Sequence, residues 1–160
     1  MVTADLSNIC KRIIELDDTI RFAGIPNKFG KQIVVAYREG LNPLLTDSES
    51  ELYAIETVIR MNTRKDFESK LGKPIYSFTL YEKLKRVTIS LDSKDYPILM
   101  VSFDIRADHE TTILKKIIPF IEKELRWYRL DWRCSYQNVW HWLKKKQQVS
   151  TDLVLTRKSW

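Results

Sequence analysis

Residues 74–104, PIYSFTLYEKLKRVTISLDSKDYPILMVSFD, decide the fold of this 160-residue chain because three strand patterns follow one another there with short polar links. Apolar and polar side chains alternate over 74–82 and 84–92, the period of two that a half-buried strand produces. The third segment, 96–104, holds a nearly unbroken apolar run at 98–103, as expected of a central strand covered on both faces. We therefore predict an antiparallel meander of three strands.

A second strand pair precedes the meander at residues 20–40, IRFAGIPNKFGKQIVVAYREG. The β-rich runs 20–25 and 32–38 flank a short segment with turn chemistry, so we predict a hairpin. Gly30 is expected to supply a positive φ in the turn, and Gly24 to mark a bulge or a close backbone approach.

A long helix is predicted between the hairpin and the meander. Thr46 and Glu49 form a capping box, with Thr46 as the N-cap, and Gly72 followed by Pro74 provides a C-terminal stop. The apolar spacing predicts a core stripe along this helix, made of Leu52, Ile55, Val58, Ile59, Phe67 and Leu71.

Two further helices complete the pattern. An apolar period of three and four over residues 6–20 predicts an amphipathic first helix, with Cys10 on its buried face. A last helix opens at 108–110 and is expected to bend at Pro119. Its predicted core face consists of Ile113, Leu114, Ile117, Ile118, Ile121 and Leu125.

Charge and aromatic content divide the chain at residue 125. The net charge is +6, and residues 126–160 account for all of it with eight basic and two acidic residues. All five tryptophans also lie there. We therefore predict an α+β domain at 1–125 and a basic, Trp-rich C-terminal extension at 126–160, helical at about 135–148.

No catalytic, metal or cofactor motif is found, so we expect a protein that is not an enzyme and carries no cofactor. The chain has neither GxxxxGK[ST] nor GxGxxG, and His109-Glu110 is not completed to HExxH. Two cysteines far apart in sequence are typical of an intracellular protein, and no apolar run is long enough to span a membrane. The expected localisation is cytoplasmic.

The order helix-ββ-helix-βββ-helix, with a glycine in the hairpin, resembles the roadblock/LC7 architecture, a relative of the longin and profilin folds. The phrases YREGLNPLLTDSESEL, IRMNTRK, LGKPIYSFTLYEKLKRVTI and LMVSFD are similar to an archaeal family without assigned chemistry. The resemblance covers roughly residues 9–124 and implies a central antiparallel five-stranded sheet flanked by helices. It also implies a domain that dimerises through the long helix and a sheet edge, often as a non-catalytic platform for small Ras-like GTPases.

The extension admits several roles. Its tryptophans fold back onto the domain, stack on the bases of single-stranded nucleic acid, or lie at an anionic membrane surface; a helix that binds a partner protein is a further alternative. The residues predicted to contact a partner or nucleic acid are Arg126, Arg129, Arg133, Trp140, Trp142, Lys144, Lys145 and Lys146.

The sequence therefore predicts a homodimeric interaction or sensor module that serves as a platform for a small GTPase or another protein partner. Tyr53 and Met61 lie beside the predicted core stripe of the long helix and are the expected dimer contacts. One alternative is a nucleic-acid-binding protein that uses the extension. Another is a small-ligand-sensing domain with an aromatic pocket, although cross-strand packing explains the aromatic strand residues better; these are Tyr76, Phe78, Tyr81 and Tyr96.

Overall fold

The computed structural model describes residues 2–91 and 93–125, and within these ranges the side chains from residue 5 onward. The predicted domain boundary and the helix at about 135–148 concern residues outside this described part. In chain order the elements are α1 (Val2–Glu15), β1 (Ile20–Pro26), β2 (Gln32–Tyr37), α2 (Asp47–Lys65), α3 (Glu68–Leu71), β3 (Tyr76–Leu80), β4 (Leu84–Ser90), β5 (Ile98–Asp104), α4 (His109–Thr112), a π-helical segment (Ile113–Ile117) and α5 (Ile118–Glu124).

The five strands form one antiparallel sheet in the order β2-β1-β5-β4-β3. This order confirms the predicted hairpin, the meander and the α+β class. β5 is the central strand, and its residues 98–103 are all buried, as their unbroken apolar run predicts. Its neighbours on either side are β1, with Ala23 opposite Val101, and β4, with Val87 opposite the same residue.

Helices cover both faces of the sheet. α2 packs Ala54, Val58 and Met61 against Phe22, Ile98 and Met100, which alternate with residues of the opposite face. α1 contacts β1 and β2, and the Arg12 guanidinium of α1 reaches the last helix, where it pairs with Glu124 at 2.5 Å. The core is therefore built in three layers around the sheet.

The hairpin turn fits closely against α2. Gly30 has φ 85°, which confirms the predicted positive φ, and a Cβ built on it would lie 2.4 Å from Ile55 Cα. A Cβ on Gly24 would lie 2.5 Å from Cζ of Phe22. The β1–β2 register shifts between Ile25 and Pro26 rather than at Gly24, so Gly24 marks a close approach and not a bulge.

The last helix is irregular just before Pro119. The backbone N–H of Ile118 bonds to the carbonyl of Ile113, five residues back, so the segment Ile113–Ile117 is a π-helix. Pro119 has no N–H to continue the α-helical ladder, which gives the expected interruption a physical cause. The predicted core face of this helix is confirmed, because all six of its apolar side chains are buried.

The predicted core stripe of the long helix is wrong in most of its members. Val58 is buried, but five of the six are exposed: Leu52, Ile55, Ile59, Phe67 and Leu71. The buried residues of α2 are Ala54, Thr57, Val58 and Met61. Small side chains at Ala54 and Thr57 let the helix approach the sheet closely. The side of the helix that carries them is therefore buried against the sheet, and the side that carries the larger aliphatic residues faces away from it. α2 also ends at Lys65, and the last two members of the stripe lie at or in the separate α3.

Candidate partner interface

The start of α2 is fixed by the predicted capping box. Thr46 Oγ1 accepts from the backbone N–H of Glu49 at 3.3 Å, and the Glu49 carboxylate accepts from the backbone N–H of Thr46 at 2.8 Å. The hydrogen bonds from Thr46 lower the pKa of the Glu49 carboxyl. Together with the turn packed against Ile55, this holds the helix in a defined position on the sheet.

α2 presents an apolar stripe to solvent. Leu52, Ile55 and Ile59 are 58%, 37% and 57% exposed and follow one another at spacings of three and four, so they share one side of the helix. We refer to these three residues as the α2 outer face. In the hairpin turn, Phe29 precedes Gly30 and is also exposed. Large apolar side chains exposed together on one side of a helix are typical of protein interaction sites.

The two side chains predicted as dimer contacts have different surroundings. Met61 is 1% exposed and belongs to the core cluster with Phe22 and Ile98, so its side chain is covered by the domain itself. A methionine fills the space between helix and sheet that a larger rigid side chain would not fit. Tyr53 is half-buried and packs against the same cluster. Contact across a dimer stays a prediction, and the side chains that α2 offers for it are those of its outer face.

Within the part of the chain that the structure describes, the sheet has two open edge strands. β2 has β1 as its only neighbour, and β3 has β4. An edge strand offers backbone N–H and C=O groups to another strand. On β3, Leu80 is exposed, and Phe78 stacks on the His109 ring with centroids 4.1 Å apart. Burial, followed by the charge of Lys85, lowers the pKa of His109, so the stacked ring stays neutral at physiological pH.

A charge cluster joins the ends of three strands and was not predicted from the sequence. Asp104 at the end of β5 accepts from Arg21 and from Arg38, with a shortest distance of 2.8 Å to each. The Arg38 hydrogen bond, opposed by burial and aided by Arg21, lowers the pKa of the Asp104 carboxyl. One carboxylate thus holds two guanidinium groups, and these charge-assisted hydrogen bonds tie the ends of the three strands together.

Neither a metal site nor a reactive cysteine is found in the described ranges. Within 2–91 and 93–125, no three His, Cys, Asp or Glu side chains are placed to share a metal ion. Cys10 is fully buried, and burial raises the pKa of its thiol to about 12, so it remains protonated at neutral pH.

Lys85 and Arg86, two of the basic residues on β4, are engaged within the domain. Lys85 donates to the backbone carbonyl of Ala107 at 2.7 Å, and the Arg86 guanidinium lies 3.9 Å from the centroid of the Tyr53 ring. Among the helices that the structure describes, none has the length and apolar character that crossing a membrane requires. The predicted contact residues of the extension all lie outside the described part: Arg126, Arg129, Arg133, Trp140, Trp142, Lys144, Lys145 and Lys146.

Solved structures with the same architecture identify the fold. A roadblock/LC7 domain from Streptomyces avermitilis superposes with a TM-score of 0.59 at 13% identity, covering 78% of this chain and 97% of that one. MglB of Myxococcus xanthus gives a TM-score of 0.58 at 16% identity over 81% of this chain and 93% of its own. An MglB with a tetrameric arrangement gives 0.59 at 11% identity over 78% and 90%. The chain therefore has a roadblock/LC7-like fold, as its sequence resemblance implied.

The two comparisons of sequence found no match. No protein-family model matches the chain, and no curated protein matches it. The similarity to an archaeal family accordingly stays a prediction.

Proposed function

We propose that this chain is a non-catalytic, cytoplasmic interaction module that forms a homodimer through the α2 outer face and thereby builds a platform for a small GTPase or another protein partner. The single observation that carries the proposal is the exposure of Leu52, Ile55 and Ile59 on a helix that is capped, buried on its other side and held by the hairpin turn. A rigid helix that exposes apolar side chains is suited to binding a partner.

The α2 outer face needs a second contact to form a stable dimer. Fully burying one large aliphatic side chain contributes roughly 1.5–3 kcal/mol, and these three are already partly covered. A micromolar dimer requires about 8 kcal/mol after the cost of association. We therefore include an open sheet edge, where backbone hydrogen bonds between two copies would add both affinity and register.

The fold supports the choice of a protein as the proposed partner. Two of the superposing structures are MglB proteins, one of them in a tetrameric arrangement, which supports an assembly-forming role for a chain of this fold. The GTPase is proposed from the roadblock/LC7 resemblance. A cytoplasmic setting agrees with the buried, protonated thiol of Cys10.

Sedimentation velocity at micromolar concentration tests the dimer. We expect the wild-type chain to sediment as a dimer and Ile59→Glu to sediment as a monomer, because a buried unpaired carboxylate opposes association. Asn8→Glu is the matched control, since it places the same charge at an exposed position of α1 and should leave the dimer intact. A wild-type monomer, or an Ile59→Glu dimer of unchanged affinity, would contradict the proposal.

A further inference from the structure

A cleft lies between the loop that precedes α2, the side of that helix carrying Tyr53, and the β3–β4 turn. Its volume is about 440 Å³, and most of its lining is apolar. The residues that define it are Leu44, Leu45, Tyr53, Tyr81, Leu84 and Arg86. On the helix, Tyr53 is one residue and therefore about 100° away from Leu52, so the cleft and the α2 outer face are different surfaces.

Arg86 distinguishes this cleft from an ordinary surface depression. Four described arginines are half-buried, and three of them pair with a carboxylate: Arg12 with Glu124, and both Arg21 and Arg38 with Asp104. Arg86 forms no ion pair with any carboxylate in the described part of the chain. Its guanidinium instead lies 3.9 Å from the centroid of the Tyr53 ring, and both residues line the cleft.

A half-buried guanidinium without an anion retains unused donors. Arginine carries five N–H donors in a planar fork that matches a carboxylate, and stacking on an aromatic ring uses its face but leaves that fork open. The two other charges that line the cleft, Glu82 and Lys83, are opposite in sign and adjacent in the chain. Arg60 also lies near this cleft, 5.7 Å from the centroid of the Tyr53 ring, but it pairs with Glu56 at 3.5 Å. Among the lining residues the net charge is therefore one positive charge, and Arg86 is the half-buried cation that has no paired carboxylate in the described part of the chain.

The tyrosines add aromatic surface and polar handles. Burial, and then a hydrogen bond with Tyr53, raises the pKa of the Tyr81 hydroxyl, which keeps it protonated at neutral pH. The lining thus combines two aromatic rings and three leucines with Arg86, and with Glu82 and Lys83 in the β3–β4 turn. This combination suits a ligand with a flat apolar body and one negative charge, whereas a dianionic phosphate would keep an uncompensated charge in an apolar setting.

We propose that this cleft binds a small aromatic carboxylate, with the carboxylate on the Arg86 fork and the ring between the leucines and tyrosines. The argument for this site uses none of the residues of the α2 outer face, although Tyr53 is also one of the expected dimer contacts.

Two probes of matched shape test it on the full chain. In an amide-detected NMR titration, we expect 2-naphthoate to shift the amides that line the cleft and to saturate. The neutral 2-naphthamide should bind with an affinity about tenfold lower, because it lacks the charge-assisted contact to the guanidinium. Equal affinities for the two probes, or naphthoate shifts confined to other surfaces, would overturn the proposal.

Arginine variants assign the preference to one side chain. Arg86→Gln should lower the affinity for naphthoate about tenfold and leave naphthamide unchanged, while Arg86→Lys, which keeps the charge and loses the fork, should fall between. Arg64→Gln is the matched control, since Arg64 is exposed and about 16 Å from Tyr53 along the helix at 1.5 Å per residue. An Arg86→Gln chain that still prefers naphthoate, or an Arg64→Gln chain that loses the preference, refutes the assignment to Arg86.

Discussion

Replacing Gly30 by alanine should destabilise the protein far more than the same change at Gly40. Both glycines have positive φ, 85° and 74°, so each alanine should lose about 1–2 kcal/mol to backbone strain. At Gly40 nothing lies within 4 Å of the added Cβ, whereas at Gly30 it would meet backbone atoms of Ile55 at 2.4 and 2.7 Å. Overpacking against a backbone adds about 1–3 kcal/mol. The expected total for Gly30→Ala is therefore about 2–5 kcal/mol.

Urea unfolding followed by far-ultraviolet circular dichroism measures the difference between the two variants. Gly40→Ala calibrates the strain alone, so the excess loss in Gly30→Ala reports the contact between the hairpin turn and α2. That contact also positions Ile55, which belongs to the α2 outer face. Equal unfolding free energies for the two variants would refute the reasoning, because the helix would then have room to move away from the turn.

Three further predictions concern charge and accessibility. The folded-state pKa of Asp104 is lowered, so the stability that this carboxylate contributes is present above its unfolded-state pKa and is lost as the pH falls through its folded-state pKa. Asp104→Asn should therefore flatten the fall of the unfolding free energy at acid pH. Asp95→Asn, which removes the carboxylate of an exposed ion pair, should not. In a Cys134→Ser chain, Cys10 should react with iodoacetamide at pH 8 only upon unfolding, and rapid labelling of the native protein would contradict its burial. If the extension binds nucleic acid, the full chain should retard single-stranded DNA in a gel mobility-shift assay at low salt, and the retardation should weaken at higher salt. A variant with Lys144, Lys145 and Lys146 replaced by glutamine should retard the DNA less. No retardation by the wild-type chain removes that alternative.

Local patterns were sufficient to predict the sheet and the start of α2, but not the end of that helix, which stops at Lys65 rather than at Gly72. The strands of the meander repeat every two residues, and the Thr46–Glu49 box spans a single turn, so each signal lies within a few neighbouring residues. The central position of β5 followed from one apolar run, 98–103, because a strand covered on both faces has no polar side.

The buried side of α2 was not predictable from periodicity. The helix carries one stripe of large aliphatic side chains and another of smaller ones around Ala54, and hydrophobicity alone favours the first. Closeness to the sheet favours the second, and only the packed structure contains that information. The bulky stripe is left exposed, which is why it became the candidate interface.

Charge partners separated widely in sequence were also not predictable. Asp104 lies 83 residues from Arg21 and 66 residues from Arg38, and nothing near either arginine indicates the pairing. Register brings them together at adjacent strand ends. By the same reasoning, the lack of an ion pair at Arg86 within the described residues is visible only after the partners of the other half-buried arginines are known.

The π-helical segment corrects the phase of the last helix. Ile113, Ile117, Ile121 and Leu125 are all buried and are spaced by four. In a regular α-helix a step of four residues overshoots a full rotation by about 40°, so the fourth member of such a series would point about 120° away from the first. The wider turn takes up part of this rotation and returns the later residues toward the sheet. A deletion of one residue within Ile113–Ile117 would therefore act over the whole helix end, turning α5 about its own axis rather than merely shortening the chain.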